Sequence, residues 1–225
     1  MRRSIRLWGW LAALALLSAA ADAQVVIRRF GAGGGGGMGW LDAAPAQFGV
    51  SAWHVGEWAR YSVSENLGGG MPMVQFRTVS VVGQRGDGYW VETADEFGGM
   101  AAGKGPTRKL LVPFGPIAER VGAEGYVMAP DSSVRRQTLV RDAGRAAGRP
   151  RFPEGWTRAG DESVTTSGGT FHATRWRKSA DELWTSAEAG PLGLVRFRSA
   201  DVEVELVGHA ASGARSQIPF GGSER

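Results

Sequence analysis

Residues Gly169 to Phe197 read GTFHATRWRKSADELWTSAEAGPLGLVRF, and how this stretch is divided decides the fold. In GTFHATRWRK (Gly169 to Lys178), Phe171 and Ala173 alternate with His172 and Thr174, a period of two that belongs to a strand. Ser179-Ala180-Asp181 supplies turn chemistry, ELWTSA (Glu182 to Ala187) alternates again, and Ala189-Gly190-Pro191 makes a second turn before GLVRFRS (Gly193 to Ser199). Connections this short join antiparallel neighbours, because a parallel pair needs a crossover of a dozen residues or more.

The same grammar extends outward in both directions. DVEVELVG (Asp201 to Gly208) follows and ESVTTSG (Glu162 to Gly168) precedes. Earlier come GEWARYSVS (Gly56 to Ser64), MVQFRTVSVVG (Met73 to Gly83), GYWVETADEF (Gly88 to Phe97), TRKLLVP (Thr107 to Pro113) and VRRQTLV (Val134 to Val140). Short alternating runs with turn signals between them predict an all-β, mainly antiparallel domain rather than βαβ units. PIAERV, from Pro116 to Val121, is the one place with room for a helical turn, since proline is tolerated at the first helical position.

The ends of the chain have a different composition. Arg2, Arg3 and Arg6 precede an apolar run from Leu7 to Ala21, and Ala21-Asp22-Ala23 carries the small residues that a signal peptidase reads. The apolar run spans about 15 residues, short of the roughly 20 of a transmembrane helix. Residues 1–23 therefore read as a signal peptide cleaved after Ala23, with a periplasmic or secreted destination and no transmembrane segment in the mature chain. GAGGGGGMG, Gly31 to Gly39, orders its backbone only at high entropic cost, so residues 24–52 read as a flexible leader. Residues 53–211 form the single β domain, and residues 212–225 read as a flexible tail.

With no cysteine in 225 residues, disulfides and thiolate metal sites are excluded, and the core must hold the domain together. Residues 1–23 take three arginines and one aspartate with them, so the net charge falls from +4 to +2. That small excess gives no case for nucleic acid as a partner. Between Arg135 and Arg151, six arginines face only Asp142. Arg141, Arg145, Arg149 and Arg151 read either as a solvated loop or as a contact for an anionic surface.

Motifs for chemistry are sparse. GGMAAGK (Gly98 to Lys104) spells a phosphate loop, but Gly105 stands where the magnesium-binding Ser or Thr belongs and a strand follows in place of a helix. Gly31, Gly33 and Gly36 match a dinucleotide spacing only because the run is all glycine. Arg85-Gly86-Asp87 reads as a hairpin turn. His54, His172 and His209 show no metal-ligand spacing, and no serine sits in G-x-S-x-G. No cofactor, metal site or catalytic residue is expected.

Alternation divides the domain into two faces. Tyr61, Val63, Val91, Phe171, Ala173, Val195, Phe197, Val202, Val204 and Leu206 collect on a buried face. Trp58, Trp90, Trp176 and Trp184, interleaved with Arg60, Glu92, His172, Arg196, Arg198, Glu203 and Glu205, collect on the other. Those tryptophans either cover the sheet and accept arginine stems, or form an interaction face for another protein.

The succession GEWARYSV, GYWVETADE, KLLVP, GGTFHATRWR, DELWTSAEAGPLGLVRF and EVELVGH, covering Gly56 to His209, resembles exported bacterial proteins of the lipoprotein-carrier-like (LolA-like) half-barrel superfamily. The resemblance implies a strongly curved sheet or half-barrel with few short helical segments, whose greasy concave face holds an acyl chain. The leading expectation is a non-enzymatic periplasmic protein that binds a lipid or lipoprotein acyl chain, with Tyr61, Val91, Phe171 and Phe197 among the lining residues. The alternatives are an envelope interaction module using the tryptophan face, and a hydrolase in which His172 or His209 approaches a serine and a carboxylate.

Overall fold

The computed structural model describes residues 53–66, 72–86, 88–98, 102–113, 123–139 and 155–219. They form eleven strands: β1 (Trp58–Glu65), β2 (Met73–Arg85), β3 (Gly88–Phe97), β4 (Gly103–Pro113), β5 (Ala123–Met128), β6 (Val134–Leu139), β7 (Thr157–Thr166), β8 (Gly169–Lys178), β9 (Asp181–Thr185), β10 (Leu194–Arg198) and β11 (Val202–Ala210). Among the described residues there is no helix. The helical turn expected at Pro116–Val121, the leader, the signal peptide and the four arginines Arg141, Arg145, Arg149 and Arg151 lie outside the described residues.

All eleven strands belong to one antiparallel sheet in the order β6-β5-β4-β3-β2-β1-β11-β10-β9-β8-β7. The chain meanders outward from β1 to one edge at β6, resumes at the opposite edge with β7, and meanders back until β11 pairs with β1. First and last strands are thus central, and there the alternation is cleanest: Ala59, Tyr61, Val63, Val204 and Leu206 are fully buried. The edges carry charge instead. Arg135 and Arg136 are exposed on β6, as are Arg158, Asp161 and Glu162 on β7, which discourages pairing with another sheet.

Eleven twisted strands cannot stay flat, since open sheets curl or split at about ten strands. Register shifts help the bending, at Arg60/Tyr61 between β1 and β11, Val81/Gly83 between β2 and β3, and Ala94/Glu96 between β3 and β4. The result is an unclosed, curled sheet. Strands β9 and β10 have five residues each while β7 and β8 have ten, so the β7–β8 hairpin tip runs past their ends and reaches β11. Gly168 donates its N–H to the Leu206 carbonyl at 3.1 Å, and Arg196 donates to the Thr165 carbonyl at 3.1 Å.

The turns read from the sequence are present. Arg85 pairs with Gly88 across the β2–β3 hairpin, and Ser179 adopts a positive φ of 54° between β8 and β9. Gly190 has φ 75°, and a Cβ there would lie 2.9 Å from Ala59 Cβ, so the β9–β10 loop lies directly against β1 only because the residue is glycine. Gly103 and Lys104 belong to β4, which leaves no phosphate loop followed by a helix.

The flexible tail expected at residues 212–225 lies within the described residues only as far as Pro219. The segment after β11 carries the same glycine and serine signals as a loose tail, yet up to Pro219 it is part of the domain, with Ala214 N–H donating to Gly56 O at 2.8 Å and Ile218 fully buried. Its anchors, the Gly56 carbonyl and side chains on β3 and β4, are distant in sequence, so its own composition could not announce them.

Candidate functional site

Residues directly opposite one another on neighbouring strands share a face of the sheet, so the register traces each face across the molecule. One row runs Leu206, Tyr61, Arg77, Asp95; the next rows run Val204, Val63, Gln75, Phe97 and Val81, Val91, Leu110. This is the inner face. It is apolar around Ala59, Val79, Val81 and Val91, and it carries a buried polar row of Gln75, Arg77, Thr93 and Asp95.

The charges of that row are paired in good geometry. Arg77 forks onto Asp95, with Nε to Oδ1 at 2.6 Å and Nη2 to Oδ2 at 3.0 Å, and Arg108 Nη1 stands 3.5 Å from Oδ2. A bidentate pair is what makes buried charge tolerable, because it satisfies the lone pairs that water has left. Two guanidiniums meet one carboxylate, and Arg108, with a side chain 30 % exposed, is the member that reaches solvent. Gly105 makes room for the row, as a Cβ there would sit 2.8 Å from Asp95 Cβ and 3.1 Å from the Phe97 ring.

Tyr61 stands beside this row, opposite Arg77. Its hydroxyl is fully buried and has no hydrogen-bond partner among the described residues. Burial pushes its pKa well above the usual phenol range, and the nearby Glu57 carboxylate adds to the shift.

The structure brings Tyr61 and Val91 to the inner face together, and Phe197 reaches it through the row Phe197, Leu183, Trp176. Phe171, on β8, lies opposite Val164 and packs its ring 5.3 Å from that of His209, the register partner of Ala59. All four residues are buried.

The four tryptophans do not form one exposed face. Trp58 lies half-buried on the outer face against Gly208. Trp90 and Trp184 are on that side too, but they are only 1 % and 5 % exposed. Trp184 donates its indole N–H to Glu162 and carries the Arg175 guanidinium 5.3 Å over its ring; Lys109 Nζ lies 5.5 Å from the Trp90 ring. Trp176 pairs with Leu183 and donates to Thr185 Oγ1 at 3.0 Å, which places it on the face of Phe197. Alternation inside β8 and β9 gives two phases, and only the register between them decides how those phases match.

The outer face otherwise carries cross-strand ion pairs where Arg196, Arg198, Glu203 and Glu205 were expected. Arg196 sits opposite Glu205 and bonds it at 3.2 Å; Arg198 sits opposite Glu203 and bonds it at 2.8 Å. Arg60 pairs with Glu96 at 2.6 Å, and Glu182 accepts from both Arg175 and Arg177, which hold its carboxyl below the usual range. A hollow of about 330 Å³ opens here among Ser62, Ser64, Phe76, Ser167, Glu203 and Glu205.

Also on the outer face, Glu92 and Lys109 stand opposite one another, both buried, their Oε1 and Nζ 3.8 Å apart. Burial lowers the Lys109 pKa, with Glu92 opposing the shift. Sequence reading placed Glu92 beside Trp90 but gave no role to it or to Lys109; the signal, an acidic and a basic residue on facing strands, needs the register to be seen.

His172 is exposed opposite Ser163, and Asp161 is held by Thr174 at 2.8 Å and by Arg158. Among the described residues, neither His172 nor His209 hydrogen-bonds a serine or a carboxylate, and no cluster of three His, Asp or Glu could hold a metal. No helix among them is long and apolar enough to cross a membrane.

No family model matches the chain, and no curated protein matches it in sequence. Solved structures similar to it include the following two. One is a Bacteroides fragilis protein described as exported and of YmcC-like fold, 11% identical, covering 70% of this chain and 97% of its own, at a TM-score of 0.34. The other is a DUF1329 family protein from Desulfovibrio piger, 11% identical, covering 73% of this chain and 86% of its own, at a TM-score of 0.32.

Proposed function

We propose that this is an exported, non-catalytic envelope protein whose curled sheet holds an amphipathic ligand, a lipid or lipoprotein acyl chain, against its inner face. Export rests on the charged, apolar and small-residue succession of residues 1–23. The observation that carries the ligand is the make-up of the inner face: valine rows beside a polar row in which two guanidiniums meet one carboxylate, flanked by a buried phenol that has no partner among the described residues. Valine rows suit an acyl chain. Arg108, the part of the row that meets solvent, suits an anionic head, with a charge-assisted hydrogen bond contributing about 1.5–3 kcal/mol.

The test is native mass spectrometry of the protein taken from its own envelope, together with titration of a fluorescent fatty acid. A copurifying lipid is expected, and Arg108→Gln should weaken the fatty acid by about tenfold or more while leaving a neutral amphiphile unaffected. Absence of lipid together with no binding of the fatty acid refutes the proposal. Docking through the tryptophan face is the alternative reading, with Trp90 and Trp184 covered and Trp58 and Trp176 half-buried.

A further inference from the structure

The segment that follows β11 meets the Glu92–Lys109 ion pair on the outer face, which binds three consecutive residues of it. Glu92 accepts from the Ser216 hydroxyl, from Gln217 N–H at 2.8 Å and from Ile218 N–H at 3.2 Å. Lys109 donates to Ser216 Oγ at 2.8 Å and to the Ile218 carbonyl at 3.0 Å. Three of the groups read in this way are main-chain atoms of Gln217 and Ile218, where the segment bends. Two side chains are read as well: the Ser216 hydroxyl bridges both charges, and Ile218 is fully buried while Gln217 is exposed.

This arrangement differs from a sheet edge, where main-chain groups pair with a neighbouring strand. Here side chains supply both the acceptor and the donor for the main chain of the segment. A buried carboxylate and ammonium are costly unless their remaining lone pairs and protons are satisfied, and the segment supplies those partners. The pattern it satisfies is short: a hydroxyl, any residue, then an aliphatic side chain, with a bend at the last two residues.

We propose that Glu92 and Lys109 form a peptide-binding site on the outer face, specific for a Ser-x-Ile segment that bends at its last two residues, with Ser216–Ile218 as its resident occupant in cis. The partner is a peptide segment of that pattern on another chain. Because Ser216 follows the end of β11 at Ala210 by only a few residues, the resident segment acts at an effective concentration in the millimolar range for short linkers, so a partner engages only when the resident is displaced. The site is independent of the inner-face ligand, since Glu92 and Lys109 lie on the opposite side of the sheet from Tyr61 and Val91.

The test uses the full chain and a fluorescent peptide, ARSQIPFG, copied from residues 214–221. Ile218→Asp leaves the site intact but weakens its resident. It should bind the peptide at least tenfold more tightly than the unsubstituted protein does, and adding Glu92→Gln should abolish that binding. Hydrogen exchange of the unsubstituted protein gives a second readout: the amides of Gln217 and Ile218 should exchange at least tenfold faster than those of Val91 and Thr93, as a displaceable segment requires. The proposal is overturned if folded Ile218→Asp binds no peptide or binds a scrambled one equally. It is equally overturned if Gln217 and Ile218 exchange only as slowly as β3, and this second criterion decides the matter should Ile218→Asp fail to fold. No lipid enters either measurement, so its failure and that of the inner-face reading are separate results.

Discussion

Tyr61→Phe tests the inner face at its least satisfied atom. The phenol is fully buried opposite Arg77, and its hydroxyl has no hydrogen-bond partner among the described residues. Phenylalanine keeps the ring and its packing and removes one oxygen, so the apolar burial hardly changes. A buried polar group without a partner costs about 1–3 kcal/mol. Removing it should raise stability by up to that amount, a rise in Tm of about 2–12 °C for a chain of this size. The effect should also grow at alkaline pH. Burial raises the folded pKa of Tyr61 above that of the unfolded phenol, about 10, so above that pH the unfolded chain loses a proton that the folded chain retains. Wild-type stability therefore falls as pH rises past about 10, while the Tyr61→Phe protein escapes that part of the loss. Thermal melts and urea titrations of the two proteins at pH 7 and pH 10.5 measure both effects. If the substitution instead lowers Tm by about 2 °C or more at pH 7, the hydroxyl is satisfied in the folded protein and the reasoning is wrong.

Three other substitutions probe the remaining features. Arg77→Ala leaves the buried Asp95 with only Arg108 at 3.5 Å, and breaking such a pair should cost about 3–5 kcal/mol in urea unfolding; a loss below 1 kcal/mol would mean that the pair is not desolvated. Gly105→Ala places a methyl 2.8 Å from Asp95 Cβ and should destabilise by about 1–3 kcal/mol, whereas Gly83→Ala, whose nearest neighbour is Trp90 at 3.6 Å, should be tolerated; equal melting points for the two would refute the crowding at Gly105. Glu182→Gln reports on pH: Arg175 first, and then Arg177, lower the folded carboxyl pKa, so the contribution of Glu182 is complete above the unfolded value of about 4.3 and is lost as pH falls through the folded one. The Tm gap between wild type and Glu182→Gln should therefore close on acidification from pH 6 to pH 3, and a gap that widens would reverse the assigned sign.

The residues that were misplaced share one cause. Trp176 and Trp184 alternate correctly within β8 and β9, and yet Trp176 pairs with Leu183 on the inner face while Trp184 pairs with Arg175 on the outer one. Alternation assigns two phases to each strand but cannot say which phase of one strand matches which phase of the next, and a shift of one residue exchanges them. In β5, Ala123–Met128, the run AEGYVM has too little alternation to stand out in the sequence, and its partners on β4 and β6 make it a strand.

By itself the sequence determined what local chemistry controls: strands β3 and β8 to the residue, the hairpin at Arg85–Gly88, the antiparallel class and the buried identity of Tyr61, Val63, Val204 and Leu206. Side-chain period and turn residues act over a few positions, so they can be read without a fold. Tertiary structure alone decided the fate of the segment at Ser216–Ile218. Its glycine- and serine-rich surroundings carry the entropy of a loose tail, and what orders it is a carboxylate and an ammonium more than a hundred residues earlier, on two strands whose pairing sets them face to face.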